Sequence, residues 1–199
     1  MTTRQYEFLA CGLGACLIVA HILIKPGVDT GLVRRDADRV RRAREWRSRV
    51  APVFDLKLRD GSTFHLAEHA GHRVVIVTFF TTWCEECGQD LAGLQRYVRR
   101  RQAENKPVVA VAINGQEPVA LVDRFIRNQG VRLPAGIDEP GTVTRAYEIA
   151  SFPTTIVVGL DGRVRLYQTT EMPNPEIALD SLLDADFDAL SRAERMRAP

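Results

Sequence analysis

Of the 199 residues 45% are apolar and 26% charged, the ordinary proportions of a chain that folds around a packed core. A net charge of +2 gives no global pull toward nucleic acid, and four cysteines are too few for a disulfide scaffold at this length. The sequence contains no internal repeat and no low-complexity tract.

Phe8 to Ile24 are 17 uncharged residues in a row, with His21 the polar exception. As a helix they span ~26 Å, slightly short of a ~30 Å hydrocarbon core. His21-Ile22-Leu23-Ile24 lacks the small residues of a signal-peptidase site, so residues 1–25 read as a single membrane anchor or an uncleaved signal. Cys11 and Cys16 fall inside it as small apolar side chains, with acylation the alternative reading.

Residues 26–50 differ in character. Arg34, Arg35, Arg39, Arg41, Arg42, Arg44, Arg47 and Arg49 stand against Asp36, Asp38 and Glu45. Leu32, Val33, Val40, Trp46 and Val50 are too sparse for a core-facing helix, which predicts an Arg-rich juxtamembrane linker. Its alternative role is a collar on anionic headgroups. By the positive-inside rule alone, these arginines put the rest of the chain on the cytoplasmic side.

A globular domain is predicted over 51–190, followed by a frayed tail over 191–199. Ala51–Leu56 and Ser62–Leu66 read as a hairpin around Asp60-Gly61. His65, His69 and His72 have spacings that would suit a metal, but without further partners they read as solvated residues between strands.

His72 to Phe80 is a buried strand by its apolar, β-branched and aromatic run. Leu91, Leu94, Gln95, Tyr97 and Val98 then recur at helical spacing up to about Arg101. Between strand and helix lies Thr81-Thr82-Trp83-Cys84-Glu85-Glu86-Cys87. The free amides and positive dipole end of a helix start stabilise an anion such as a thiolate. Two cysteines one turn apart can also close a disulfide without moving the backbone. Half a zinc site is the competing reading. It would need two more ligands, and no cysteine or histidine follows Cys87.

Pro107–Ile113 is a second apolar strand, and Glu117–Asn128 an amphipathic helix ended by Gly130. The apolar face of that helix is Val119, Leu121, Val122, Phe125 and Ile126. A short helix over Thr142–Ile149 leads to a strand over Ser151–Val158, entered through Pro153. Asp161-Gly162 turns this strand into an antiparallel partner, Arg163–Tyr167. Pro175–Leu190 closes the domain as a helix with Ile177, Leu179, Leu182 and Leu183 inward. The order predicts an α/β fold, a central mixed sheet flanked by helices behind an N-terminal β-hairpin.

That order, with Trp83-Cys84-Glu85-Glu86-Cys87 and Phe152-Pro153-Thr154-Thr155, resembles the thioredoxin fold. Ala51-Pro52-Val53-Phe54-Asp55-Leu56, Asp60-Gly61 and the strand ending in Phe80-Thr81-Thr82-Trp83-Cys84 narrow the likeness. Over residues 51 to 185 the chain resembles the TlpA/ResA-type thiol–disulfide oxidoreductases, membrane-tethered extracytoplasmic proteins that include reductases of cytochrome c maturation.

The resemblance implies a redox disulfide in which Cys84 is the nucleophile and Cys87 the resolving thiol. Pro153 matches the family's cis-proline, which would present the backbone of Phe152 to a substrate peptide beside Trp83. Asp90 matches an acidic residue proposed to relay the Cys87 proton; its plainer reading is an acid that suits the helix dipole. Where many relatives carry proline, this chain has Glu86. Glu85 and Glu86 together disfavour a thiolate on Cys84, which predicts a reducing pair.

The expected function is reduction of disulfides in extracytoplasmic clients such as apocytochrome c, without a cofactor or metal and with re-reduction by a membrane electron donor. Two rivals stand beside it. A thiol peroxidase is suggested by Thr81, three residues before Cys84, although the proline expected upstream is replaced in the neighbourhood of Val77. A copper-site assembly protein is suggested by soft thiolates, although the family's wider cysteine spacing and later histidine are missing. The resemblance places the catalytic domain in the periplasm, against the arginines that follow the span.

Overall fold

The computed structural model describes residues 31–197. The predicted anchor, with Cys11 and Cys16, lies outside them. Among the described residues no helix is long and apolar enough to cross a membrane.

A five-stranded sheet forms the middle of the molecule. Its strands are β3 (Val74–Phe80), β4 (Val108–Asn114), β5 (Ala135–Ile137), β6 (Thr154–Val158) and β7 (Val164–Gln168), in the order β5-β4-β3-β6-β7. β3, β4 and β5 run parallel, whereas β6 and β7 are antiparallel additions. The central strand β3 is buried along its whole length, as its unbroken apolar run requires. Alternation splits it between two cores: Val74, Ile76 and Phe80 face one, and Val75, Val77 and Phe79 the other.

The first core is roofed by α2 (Cys87–Ala103), α3 (Val119–Asn128) and α5 (Pro175–Arg197), and the second by the end of α1 (Gly31–Trp46), by α4 (Thr142–Ala146) and by the hairpin β1 (Asp55–Lys57)–β2 (Thr63–His65). The hairpin turns at Gly61, whose φ of +90° suits glycine. Past β1, Leu58 bridges Gly136 on the β5 edge. There a Cβ on residue 136 would meet the Lys57 carbonyl at 2.6 Å, so only glycine admits the approach.

Four expectations are corrected. Trp46, counted among residues too sparse to face a core, is 1% exposed and stacks on Tyr147 and Tyr167 at 5.6 and 5.3 Å. One large aromatic at a helix end fills the site that a periodic stripe would otherwise fill, and the compact unit holding the sheet begins at Arg39. Ile177 is 82% exposed, because the inward stripe of α5 is Leu179, Leu183 and Phe187 at four-residue spacing. That helix also runs past Leu190 to Arg197. In α3, Val122 and Ile126 are buried, whereas Val119 and Leu121 are exposed at its first turn.

Candidate redox site

β3 ends against the first turn of α2, and Thr81–Glu86 bridge them. Cys84 and Cys87 are joined by a disulfide with an S–S distance of 2.10 Å and Cα atoms 5.4 Å apart. The helix starts inside the ring so formed: the Cys87 amide donates to the Cys84 carbonyl at 3.3 Å, and the Asp90 amide to that of Glu86 at 3.0 Å. The two cysteines are not equivalent, since Cys84 retains 6% exposure and Cys87 none. Glu85 and Glu86 are exposed, with a Glu86 carboxylate oxygen 4.0 Å from the Cys84 sulfur. A carboxylate there opposes the thiolate that the helix start favours.

Trp83 is 70% exposed beside the disulfide, and its ring meets that of half-buried Phe152 edge-on at 5.9 Å. The Phe152–Pro153 peptide is cis. β6 pairs Thr154 with Phe79, so Pro153, one residue earlier, lies level with the end of β3 where the redox loop begins. Thr154 donates its hydroxyl to the Ser151 carbonyl at 2.7 Å and tethers that approach.

Asp90 is buried in the first turn of α2, where it accepts the Met172 amide. Burial holds its carboxyl above the usual carboxylate range, Glu171 adds to the rise, and the Met172 hydrogen bond opposes it. A buried acid with a raised pKa stabilises the fold in its protonated form. That contribution is complete below the unfolded value and is lost as pH rises through the folded one. Acidification from about pH 7 to about pH 4 is therefore expected to stabilise the wild type relative to Asp90→Asn, whose amide keeps an acceptor for Met172 but does not titrate. Denaturant unfolding of both across that range checks it. A gap that closes in the opposite direction means ionised Asp90 is the favoured form.

The sequence reading missed one polar group. Glu117 accepts both the amide and the hydroxyl of Thr82 at 2.6 Å, and the Asn114 side-chain amide at 2.7 Å. Asn114 is fully buried and returns its side-chain oxygen to the Glu117 amide at 3.1 Å. Asn114-Gly115-Gln116-Glu117-Pro118 carries only the signature of a turn, and a partner at Thr82 leaves no trace in periodicity. Thr81 is also buried, with its hydroxyl unpartnered.

The predicted strand-connecting histidines lie elsewhere. His65 pairs with Asp55 at 2.8 Å across the hairpin, and His69 packs on Phe64 at 4.9 Å. Among the described residues no group of three or more His, Cys, Asp or Glu is placed to hold a metal ion.

The profile of the AhpC/TSA family matches residues 48–167. Thiol-disulfide oxidoreductase ResA of Bacillus subtilis (strain 168) is 29% identical over 114 residues, 57% of this chain and 62% of the relative. Thioredoxin-like protein YneN of the same organism is 28% identical over 137 residues, 68% of this chain and 78% of its own length. The chain thus spans somewhat less than two thirds of the ResA relative. Among solved structures, a thiol:disulfide interchange protein of the thioredoxin family from Chlorobium tepidum TLS superposes with a TM-score of 0.57 at 24% identity, covering 71% of this chain and 97% of that one. The fold is thioredoxin-like.

Proposed function

The chain belongs to the AhpC/TSA family, and we propose that within it this protein is a membrane-tethered thiol–disulfide oxidoreductase that reduces disulfides of extracytoplasmic proteins. The observation that carries the reading is the Cys84–Cys87 disulfide at the start of α2, in which Cys84, next to exposed Trp83, keeps some exposure and Cys87 none.

In the working direction the pair starts as a dithiol. The Cys84 thiolate attacks a client disulfide, forming an intermolecular S–S bond and expelling one client thiolate. The Cys87 thiolate then attacks the Cys84 sulfur and expels the second. The client gains two electrons and the pair is left as the disulfide. Two electrons from a membrane dithiol donor restore it.

Each neighbouring residue has a part in this scheme. The start of α2 lowers the cost of the Cys84 thiolate, Glu85 and Glu86 raise it again, and the balance favours the oxidised pair, which makes the dithiol a reductant. Asp90, with its raised pKa, takes up the Cys87 proton. Trp83 and Phe152 form the apolar lip, and the backbone before Pro153 pairs with the client segment. The apolar run over residues 8–24 holds the domain at the membrane, outside the cytoplasm. An oxidised apoprotein of the kind matured with cytochrome c is the client class.

The reduction potential of the Cys84–Cys87 pair tests the direction. It is expected nearer the ~−270 mV of thioredoxin than the ~−120 mV of a periplasmic oxidant. A value near the latter turns the reading to disulfide formation. In spheroplasts a membrane-impermeant thiol reagent is expected to label Cys84 after mild reduction, and absence of label puts the domain on the cytoplasmic side.

A second reading, a thiol peroxidase, draws on the family and on the buried Thr81 hydroxyl three residues before Cys84. Consumption of hydrogen peroxide faster than reduction of a peptide disulfide would favour it.

A further inference from the structure

One turn that takes no part in the chemistry holds the residue before Trp83 and carries the ring of Phe152. Glu117 is half-buried, and its carboxylate oxygens are taken up by the Thr82 amide, the Thr82 hydroxyl and the Asn114 amide. The turn is itself fastened to β3, because the Gly115 amide and the Asn114 side chain both donate to the Phe80 carbonyl, at 3.1 and 3.4 Å. Thr82 directly precedes Trp83, so Glu117 fixes the segment from which the indole projects.

Gly115 serves the other ring. A Cβ there would lie 2.8 Å from Cζ and 3.3 Å from Cε1 of Phe152, so the phenyl ring sits on bare backbone. The residue is glycine for closeness, since its φ lies outside the left-handed region.

We propose that the turn Asn114–Glu117 is a specificity element of the redox site, with Glu117 and Gly115 as positioning residues. It fixes the spacing of Trp83 and Phe152, and so selects disulfides carried on an extended polypeptide over small free disulfides. Building on the oxidoreductase function proposed above, it adds the determinant of client size. A small disulfide needs only the Cys84 sulfur, whose reactivity is set by the helix start and the neighbouring glutamates. A peptide must also lay its flanking residues on the surface that the two touching rings form together, and that surface depends on the turn.

Glutamine tests the assignment cleanly at 117. Its amide oxygen can accept from Thr82 N–H and Asn114 while its NH₂ donates to the Thr82 hydroxyl, so the geometry survives without the charge. The experiment compares the reduced wild type with Glu117→Ala, Glu117→Gln and Gly115→Ala. The second-order rate of reduction is measured for a synthetic peptide with an internal disulfide and for 2-hydroxyethyl disulfide.

Glu117→Ala and Gly115→Ala are expected to slow the peptide reaction about tenfold, and to leave the small disulfide and the pair's potential within about twofold. Glu117→Gln is expected to keep the peptide rate within about twofold of wild type. Amide exchange at Thr82 is expected to accelerate at least about tenfold in Glu117→Ala alone. Equal losses against both disulfides, a Glu117→Gln variant as slow as Glu117→Ala, or variants with unchanged peptide rates would each overturn the proposal. A wild type inert toward both disulfides instead removes the oxidoreductase function itself, while Thr82 exchange still reports, without turnover, whether Glu117 holds the loop.

Discussion

Cys87→Ser is expected to accumulate a covalent adduct between Cys84 and its client, and Cys84→Ser to abolish disulfide reduction by at least about a thousandfold. The asymmetry follows from burial. Cys84 keeps a sliver of exposure next to Trp83, whereas Cys87 is fully buried at the first residue of α2. An incoming disulfide meets Cys84 first, and Cys87 reaches only the sulfur it already faces. Removing the resolving thiol therefore leaves the first half-reaction intact and stops the second. Non-reducing electrophoresis with a disulfide-bonded peptide reads both outcomes. Adducts on Cys84→Ser instead of Cys87→Ser reverse the assignment. The same two variants report on peroxide chemistry, where loss of Cys87 would leave the first oxidation of Cys84 unimpeded.

The other large effect concerns stability. Trp46→Ala is expected to cost about 3–5 kcal/mol, lowering the melting temperature by roughly 10 °C. The indole lies nearly parallel to the rings of Tyr147 and Tyr167, at 16° and 18°, with the Arg49 guanidinium 4.4 Å from the ring centre. Tyr147 also donates its hydroxyl to the Pro52 carbonyl at 2.8 Å, and Tyr167 to the Tyr147 carbonyl at 2.9 Å. Truncation takes away the ring on which Tyr147 and Tyr167 both pack, and their own hydrogen bonds hold them in place, so the cavity cannot collapse. Trp46→Phe should cost far less. It keeps an aromatic ring in the stack and removes the indole N–H, which is buried without a partner. Thermal unfolding of both variants checks this; equal losses would locate the stabilisation in the indole's outer edge.

Much of the fold is legible in the sequence because its long strands are apolar without interruption and its turns carry Asp-Gly. β3 and β4 come out within two residues of their predicted starts and within one of their ends. β5 does not, because Ala135-Gly136-Ile137 is too short and too mixed to make a periodic signal, and it forms only because β4 offers a parallel edge. In α5 the predicted phase holds at Leu179, Leu182 and Leu183 and fails only at the first turn. Its first turn carries an apolar residue, Ile177, that the amphipathic pattern assigns inward, while its true stripe starts two residues later.

At the site, the cysteines and the proline declare themselves by motif. Glu117 does not, since its meaning comes from Thr82, a partner brought near by the parallel pairing of β3 and β4. Trp46 is the helical counterpart of the same lesson. A lone aromatic in an arginine-rich stretch reads as surface until the tyrosines that receive it are in place.

The stretch just after Trp46 has a practical consequence for aggregation. The Ser48 amide donates to the Val164 carbonyl at 2.8 Å, the Val164 amide donates to that of Arg49 at 2.9 Å, and Val50 bridges Arg163. This short run shields the start of β7, an outer strand of the sheet, from pairing with a strand of another molecule. A shortened version cut at Ala51, where the folded pattern first becomes visible in the sequence, would uncover that edge and discard the Trp46 stack together. Cutting before Arg39 is expected to keep the edge occupied and the protein monodisperse on size-exclusion chromatography.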